Sequence, residues 1–366
     1  MSPQGLERMM SYAEVEKNSV HDDTDAYAPS ACFDPLTTTA FELKALLESG
    51  IVTSVGLVEI YSKQIATHDD YLQAVIQVST TAAQQARALD EERLNGRVRG
   101  PLHGIPILLK DNMATVENLG LNTTCGTPAL VSSKHKQNAT IVDKSVHTFP
   151  PLCVNNNSRL NRSFLGGGWT FEPFQHTYPS LTIPRQFKMM AGWSSVGGQC
   201  QSAYTTGNVD PSDTQLGHSS PGGSSTGSAV GTSAGYAPFA VGTDSIGSLI
   251  SPATRAALYA LRPTMGLVSQ GGIFPASSFV DTAGPMCKTP QDLALLLDVL
   301  ADDYPGRGAA ASYTSYLEGS WKGLRVGTLD PSTWRFGTEV QKEVEGALEQ
   351  IASGAFWENA GEVKPC

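Results

Sequence analysis

The stretch GGSSTGSAVGTSAGYAPFAVGTDSIGSL, Gly222–Leu249, decides how this chain is read. It is crowded with serine and glycine, and it holds one carboxylate, Asp244, and no histidine. Runs of this composition commonly form flexible linkers. Here Ala, Val, Tyr, Pro and Phe interrupt the run, and the strand-like FAVGTD follows, neither of which a spacer needs. A phosphate cradle of the P-loop kind needs a lysine, and the stretch has none. The nucleophile-elbow pattern G-x-S-x-G fits twice, around Ser225 and Ser233, but neither match follows a strand. All seven histidines lie at or before His218, so a triad with its histidine after the nucleophile cannot be built.

A serine nucleophile here therefore needs another base. A lysine can serve if burial keeps its amine neutral, because desolvation penalises the charged form. Lys110 is the best placed, closing the apolar run IPILL and followed by Asp111 and Asn112. On residue types alone, a surface lysine capping a strand end is the more frequent arrangement.

Working outward, TAFELKALLESG has helical spacing and a closing glycine, and SVGLVEIYSKQIATH is a helix with Ser54 as N-cap. AVIQV predicts a strand, TTAAQQARALDEERLNG a helix, and GIPILLKDN a buried strand running into a polar turn. SSTGSAVGTSAG predicts a helix of small residues, FAVGTD a strand, and SPATRAALYALRP a helix ended by Pro263. TPQDLALLLDVLADD starts a helix with Thr289 as N-cap and Pro290 at the first turn. LRVGTL and TEVQKEVEGALEQIASG add a strand and a helix. Strands alternating with helices imply an α/β class with a largely buried sheet. Residues 1–35 are polar and aperiodic and read as a disordered tail. Ser145–Phe187 shows neither period, and a structureless insert of that length does not suit a compact domain.

Composition narrows the classes further. A net charge of −10 over 366 residues argues against a general nucleic-acid binder. The six cysteines are scattered without a CxxC pair, which fits free thiols rather than a disulfide framework or a zinc site. No apolar run reaches membrane-spanning length and the opening residues carry no secretory pattern, so the expected location is cytoplasmic.

GIPILLKDNMAT, SSPGGSSTGSA, GTDSIGSLISPA, ALRPTMGLVS and DTAGPMCKT, in that order, resemble the amidase signature family in its fungal-type acetamidase or general amidase branch. The resemblance runs from about Asp34 to Lys144 and again from about Ala191 to Asp302. It implies an amidase signature fold, a central twisted, mostly buried mixed β-sheet with helices on both faces, over residues 36–366. It also implies a Ser–cisSer–Lys triad. Lys110 matches the family lysine, Ser224 the serine on a cis peptide bond, and Ser248 the nucleophile. The backbone N–H groups of Ser245, Ile246, Gly247 and Ser248 match the oxyanion hole. Ser225 is placed behind Lys110, where a helix cap is an equally good reading. Asp244 is structural, with Arg255 as a candidate to pair it, because Ile250 stands where many members carry arginine. Asp111 and Asn112 hold the turn around Lys110, and Cys287 is a packed thiol.

The resemblance implies hydrolysis of a small carboxamide to carboxylate and ammonia or amine through an acyl-enzyme. It implies no cofactor and no metal, and leaves a homodimer open. Two departures weigh on this. The Lys110–Ser224 interval exceeds the family's, with the excess in 145–187, as a retained intron would give; and the family fold extends further than this chain does. A catalytically impaired amidase-like chain and a glutaminase-type amidotransferase subunit therefore stand as alternatives.

Overall fold

The structure is a computed structural model that describes residues 33–146, 148–155, 191–213, 217–302, 312–317, 327–328, 338–352 and 364–365. The expected tail, apart from its last three residues, lies outside the described residues, as does 156–187 of the expected insert. The chain divides into two units, Met1–Ser312 and Tyr313–Cys366.

In the first unit, helices α1 (Ala40–Glu48) and α2 (Ser54–Leu72) lead to strand β1 (Val75–Val78) and helix α3 (Ala82–Leu94). Thr39 and Glu42 form a capping box on α1. The N-cap of α2 is Thr53, one residue earlier than expected, with its hydroxyl accepting Gly56 N–H at 3.1 Å. Strand β2 (Ile107–Lys110), helix α4 (Thr140–Val146) and strand β3 (Pro151–Asn155) follow. After the short strands β4 (Trp193–Ser194) and β5 (Gly198–Gln199) come helix α5 (Thr226–Ser233), strand β6 (Phe239–Asp244) and helix α6 (Ile250–Arg255). The unit ends with strands β7 (Tyr259–Ala260) and β8 (Thr282–Cys287) and helix α7 (Pro290–Leu300).

Six strands form one mixed sheet in the order β1-β3-β2-β6-β8-β7. β2 pairs in parallel with both β3 and β6, whereas β8 runs antiparallel to β6 and β7, and β1 to β3. Every residue of β2, β6 and β8 is buried, as the continuous apolar run IPILL requires of a strand covered on both faces. α5 lies over this centre. Its Gly, Ala, Ser and Thr residues from Thr226 to Thr232 are all buried. The hydroxyls return to main-chain carbonyls, Thr226 to Gly222 at 2.6 Å and Ser228 to Val241 at 3.1 Å. Small side chains let the helix approach the sheet closely: a Cβ on Gly242 would come within 2.7 Å of Ser225 Oγ.

Two expectations change. The stretch from Ser145 was read as lacking both periods, yet Pro151–Asn155 is an internal strand of the sheet. Phe149, Leu152 and Cys153 are fully buried, and the Phe149 ring meets Phe239 edge-on at 5.3 Å. PPLCVN is too short and proline-led to show alternation. The helix expected to run to Pro263 instead stops at Arg255, and Tyr259–Ala260 joins the sheet edge beside β8. The turn between them passes through Ala257 at φ 51°.

In the second unit, strands β9 (Gly327–Thr328) and β10 (Lys364–Pro365) pair in parallel, and helix α8 spans Thr338–Ala352.

Candidate active site

Parallel neighbours end at the same edge of a sheet, and ligand sites gather at that carboxyl edge. β2 ends in Lys110 and β6 ends in Thr243-Asp244, with Leu109 opposite Val241. The register therefore brings Lys110 to the end of β6, with the Thr243 carbonyl within reach of its side chain, and the turn into α5 adds Ser224 and Ser225. Lys110 is fully buried. Its Nζ lies 2.8 Å from Ser224 Oγ, 2.9 Å from Ser225 Oγ and 3.3 Å from the Thr243 carbonyl. The Gly223–Ser224 peptide bond is cis.

Burial pushes the Lys110 ammonium down from 10.5 to about 7, against the pull of the Asp244 and Asp281 carboxylates. Hydrogen-bond accounting then orients the neutral amine. Ser225 Oγ donates its one proton to the Thr243 carbonyl at 3.0 Å and accepts Thr243 N–H at 3.1 Å. Toward Lys110 it can only accept, and so can the Thr243 carbonyl. A neutral amine has two protons for these two acceptors. Its lone pair is left facing Ser224.

Ser224 and Ser248 line one cavity, together with Asn112, Thr243, Ser245 and Asp281. Among the described residues Ser248 is not a hydrogen-bond partner of Lys110; it is tied to the same turn by its carbonyl, which accepts Ser225 N–H at 3.1 Å. Of the expected oxyanion donors, Gly247 N–H is turned inward, donating to Asp244 Oδ1 at 2.7 Å. Among the described residues, the N–H groups of Ser245, Ile246 and Ser248 meet no such acceptor.

Asp244 is buried and clamps the Ser245–Ser248 loop, taking Gly247 N–H on Oδ1 and Leu249 N–H on Oδ2, each at 2.7 Å. Its charge partner is Arg262, with Nε at 3.2 Å, and not Arg255, whose Nη1 donates to the Gly217 carbonyl at 2.8 Å. The helix ending at Arg255 turns that residue away, whereas Arg262 follows β7 back along the sheet edge. Asn112 braces the turn, its N–H on the Lys110 carbonyl at 2.8 Å and its Nδ2 on Thr243 Oγ1 at 3.0 Å. Asp111 reaches further, accepting Thr124 N–H at 2.6 Å and Gly126 N–H at 2.7 Å, while burial pushes its carboxyl up to about 6. Cys287 is fully buried in β8, and burial raises its thiol.

Thr243, Asp281 and Arg262 escaped the sequence reading of the site. Thr243 contributes its carbonyl, which no side-chain pattern reveals; Asp281 lies in a stretch read only for its family likeness, and Arg262 in one read as a helix ended by Pro263.

The amidase family profile matches residues 56–146 and 194–356, with a break across the expected insert. A protein of Arthroderma benhamiae named as an amidase is 30% identical over 312 residues, covering 79% of this chain and 46% of its own length. A glutamyl-tRNA(Gln) amidotransferase subunit of Chloroflexus aurantiacus is 34% identical over 300 residues, 80% of this chain and 53% of its own. The chain thus spans about half the length of the curated relatives it matches. The native peptide amidase of Stenotrophomonas maltophilia superposes with a TM-score of 0.72 at 29% identity, covering 93% of this chain and 63% of that one. Among the described residues no helix is long and apolar enough to cross a membrane. With the profile matched over more than half its residues and the fold shared with solved amidases, the chain belongs to the amidase signature family.

Proposed function

We propose that the chain hydrolyses a small carboxamide, with Ser248 as nucleophile, Ser224 as relay and Lys110 as base. The observation that carries this is the 2.8 Å contact between a buried, neutralisable Lys110 and Ser224 at the cavity wall. Ser248 Oγ attacks the carbonyl carbon and passes its proton to Ser224, which passes its own to the Lys110 lone pair. The tetrahedral oxyanion takes hydrogen bonds from the N–H groups of Ser245, Ile246 and Ser248. The lysine proton then returns through Ser224 to the leaving nitrogen, the C–N bond breaks, and an ester remains on Ser248. Water attacks that ester through the same relay, releasing the carboxylate and restoring Ser248.

Treatment with a fluorophosphonate, followed by mass spectrometry, tests the assignment. An adduct on Ser248 that is lost in Lys110→Ala is the expected result; an adduct elsewhere, or none on a folded chain, would sink it. A second reading, a glutaminase-type subunit working with partners, is favoured by the 34% identity to the Chloroflexus amidotransferase protein. Glutamine turnover that appears only on adding partner subunits would select it.

A further inference from the structure

The nucleophile loop is held on two sides, and the second holder is Asp281. Its Oδ1 accepts the Ser245 hydroxyl, and its Oδ2 accepts the N–H groups of Ala276 and Ser277, each at 2.7 Å. Ser245, Ala276, Asp281 and Ser248 all line the cavity. One carboxylate therefore ties the Ser245–Ser248 loop to the segment that begins at Ala276, and both contribute to the lining of the cavity. Arg262 joins this brace to the Asp244 clamp: while its Nε meets Asp244, its Nη2 donates to the carbonyl of Val280, the residue before Asp281, at 2.6 Å. Two anions thus grip a loop of four residues, Asp244 through the backbone of Gly247 and Asp281 through the side chain of Ser245.

We infer that Asp281 is a positioning residue for this reaction, setting the Ser245–Ser248 loop through the Ser245 hydroxyl and fixing the charge around Lys110 from the cavity side. The inference rests on the reading of Ser248 and Lys110 given above. Two carboxylates bear on Lys110 and favour its ammonium form, Asp244 at the end of β6 and Asp281 ahead of β8; the Cys125 thiol, in the loop after β2, is pushed up to about 12 by burial and stays neutral around pH 7. Asp111, next in sequence, turns its carboxylate to Thr124 and Gly126. Removing the Asp281 charge leaves burial less opposed, so Lys110 loses its proton at lower pH.

The test is the rate of fluorophosphonate labelling at Ser248 as a function of pH, in the wild type, Ser245→Ala and Asp281→Asn, with folding checked by thermal unfolding. Ser245→Ala is expected to lower the alkaline plateau by roughly tenfold and leave the midpoint in place, because it removes one charge-assisted hydrogen bond and no charge. Asp281→Asn is expected to lower the plateau at least as far and move the midpoint down by about one pH unit. Wild-type plateau and midpoint in both variants overturn the inference. A reduced plateau with an unmoved midpoint in Asp281→Asn also overturns it, since loss of packing alone gives that pattern. If Asp281→Asn does not fold, Ser245→Ala decides the positioning claim by its plateau. An unlabelled wild-type chain overturns the nucleophile assignment itself, and this inference with it; labelled wild type with unaffected variants overturns this inference alone.

Discussion

Lys110 and Lys288 are both lysines drawn into the fold, but they keep different company. Lys110 lies at the edge of β2 against two serine hydroxyls and one carbonyl. Lys288 lies ahead of α7 and donates to two carbonyls of the N-terminal segment, Pro35 at 2.7 Å and Thr38 at 3.4 Å. Burial lowers both, Lys110 to about 7 and Lys288 to about 8. A shifted lysine is thus not by itself a base. A carbonyl can only receive a hydrogen bond, so Lys288 fastens a chain segment, with Asp292 beside it accepting Ala40 and Phe41 N–H at the start of α1. A hydroxyl can accept one proton while giving another, so the company of Lys110 suits the proposed relay and that of Lys288 does not.

Breaking the comparison at Lys110 has the largest expected effect. Lys110→Ala should reduce amide hydrolysis by about 10³-fold or more, read as kcat/KM, with the chain still folding cooperatively. In the wild type, labelling of Ser248 should rise through a midpoint near pH 7, where the amine loses its proton; a flat profile from acid to alkali would remove lysine from the role. The same shift carries a stability signature. Between about 7 and 10.5 the unfolded chain holds this proton and the folded chain does not, so the Lys110 contribution to stability rises with pH across that window. Lys110→Met should flatten that rise in urea titrations.

Ser225→Ala sharpens the comparison by removing one hydroxyl from the lysine's company. It strips an acceptor from Lys110 and from Thr243 N–H, and a drop of ten- to a hundredfold in kcat is expected, with about 1–3 kcal/mol lost in stability. Lys288→Met should do the reverse, lowering stability by about 1 kcal/mol while labelling at Ser248 stays at the wild-type rate. Equal loss of labelling in Lys288→Met would erase the distinction between the two lysines. The smallest effect concerns the partner of Asp244. Arg262→Ala should cost about 1 kcal/mol, kept modest because the arginine side chain is 36% exposed. Arg255→Ala, which leaves the Asp244 contacts in place, should cost less.

Much of the α/β scaffold was legible where local chemistry is strong. The apolar run IPILL read as a buried strand, and the Thr289-Pro290 pair marked the start of α7. β3 and β8 were not legible. PPLCVN and TAGPMC carry proline or glycine where a strand pattern wants alternating apolar residues, and both are held by neighbours on either side in the sheet. The site shows the same division. Serine, glycine and lysine signalled the chemistry through their resemblance to a family, while the Asp281 brace and the Arg262–Asp244 pair depend on β7 and β8 lying where they do.

What the amino-acid order determined by itself is the supply of parts. It provides a lysine at the end of an apolar run, a helix of residues small enough to lie against a sheet, and a loop without a histidine. What the tertiary structure alone decided is that these parts meet. Lys110 and Ser224 are 114 residues apart and touch because β2 and β6 pair in parallel, ending at one edge. That pairing also buries the lysine, and burial is what lowers its amine to about 7, as the proposed base requires.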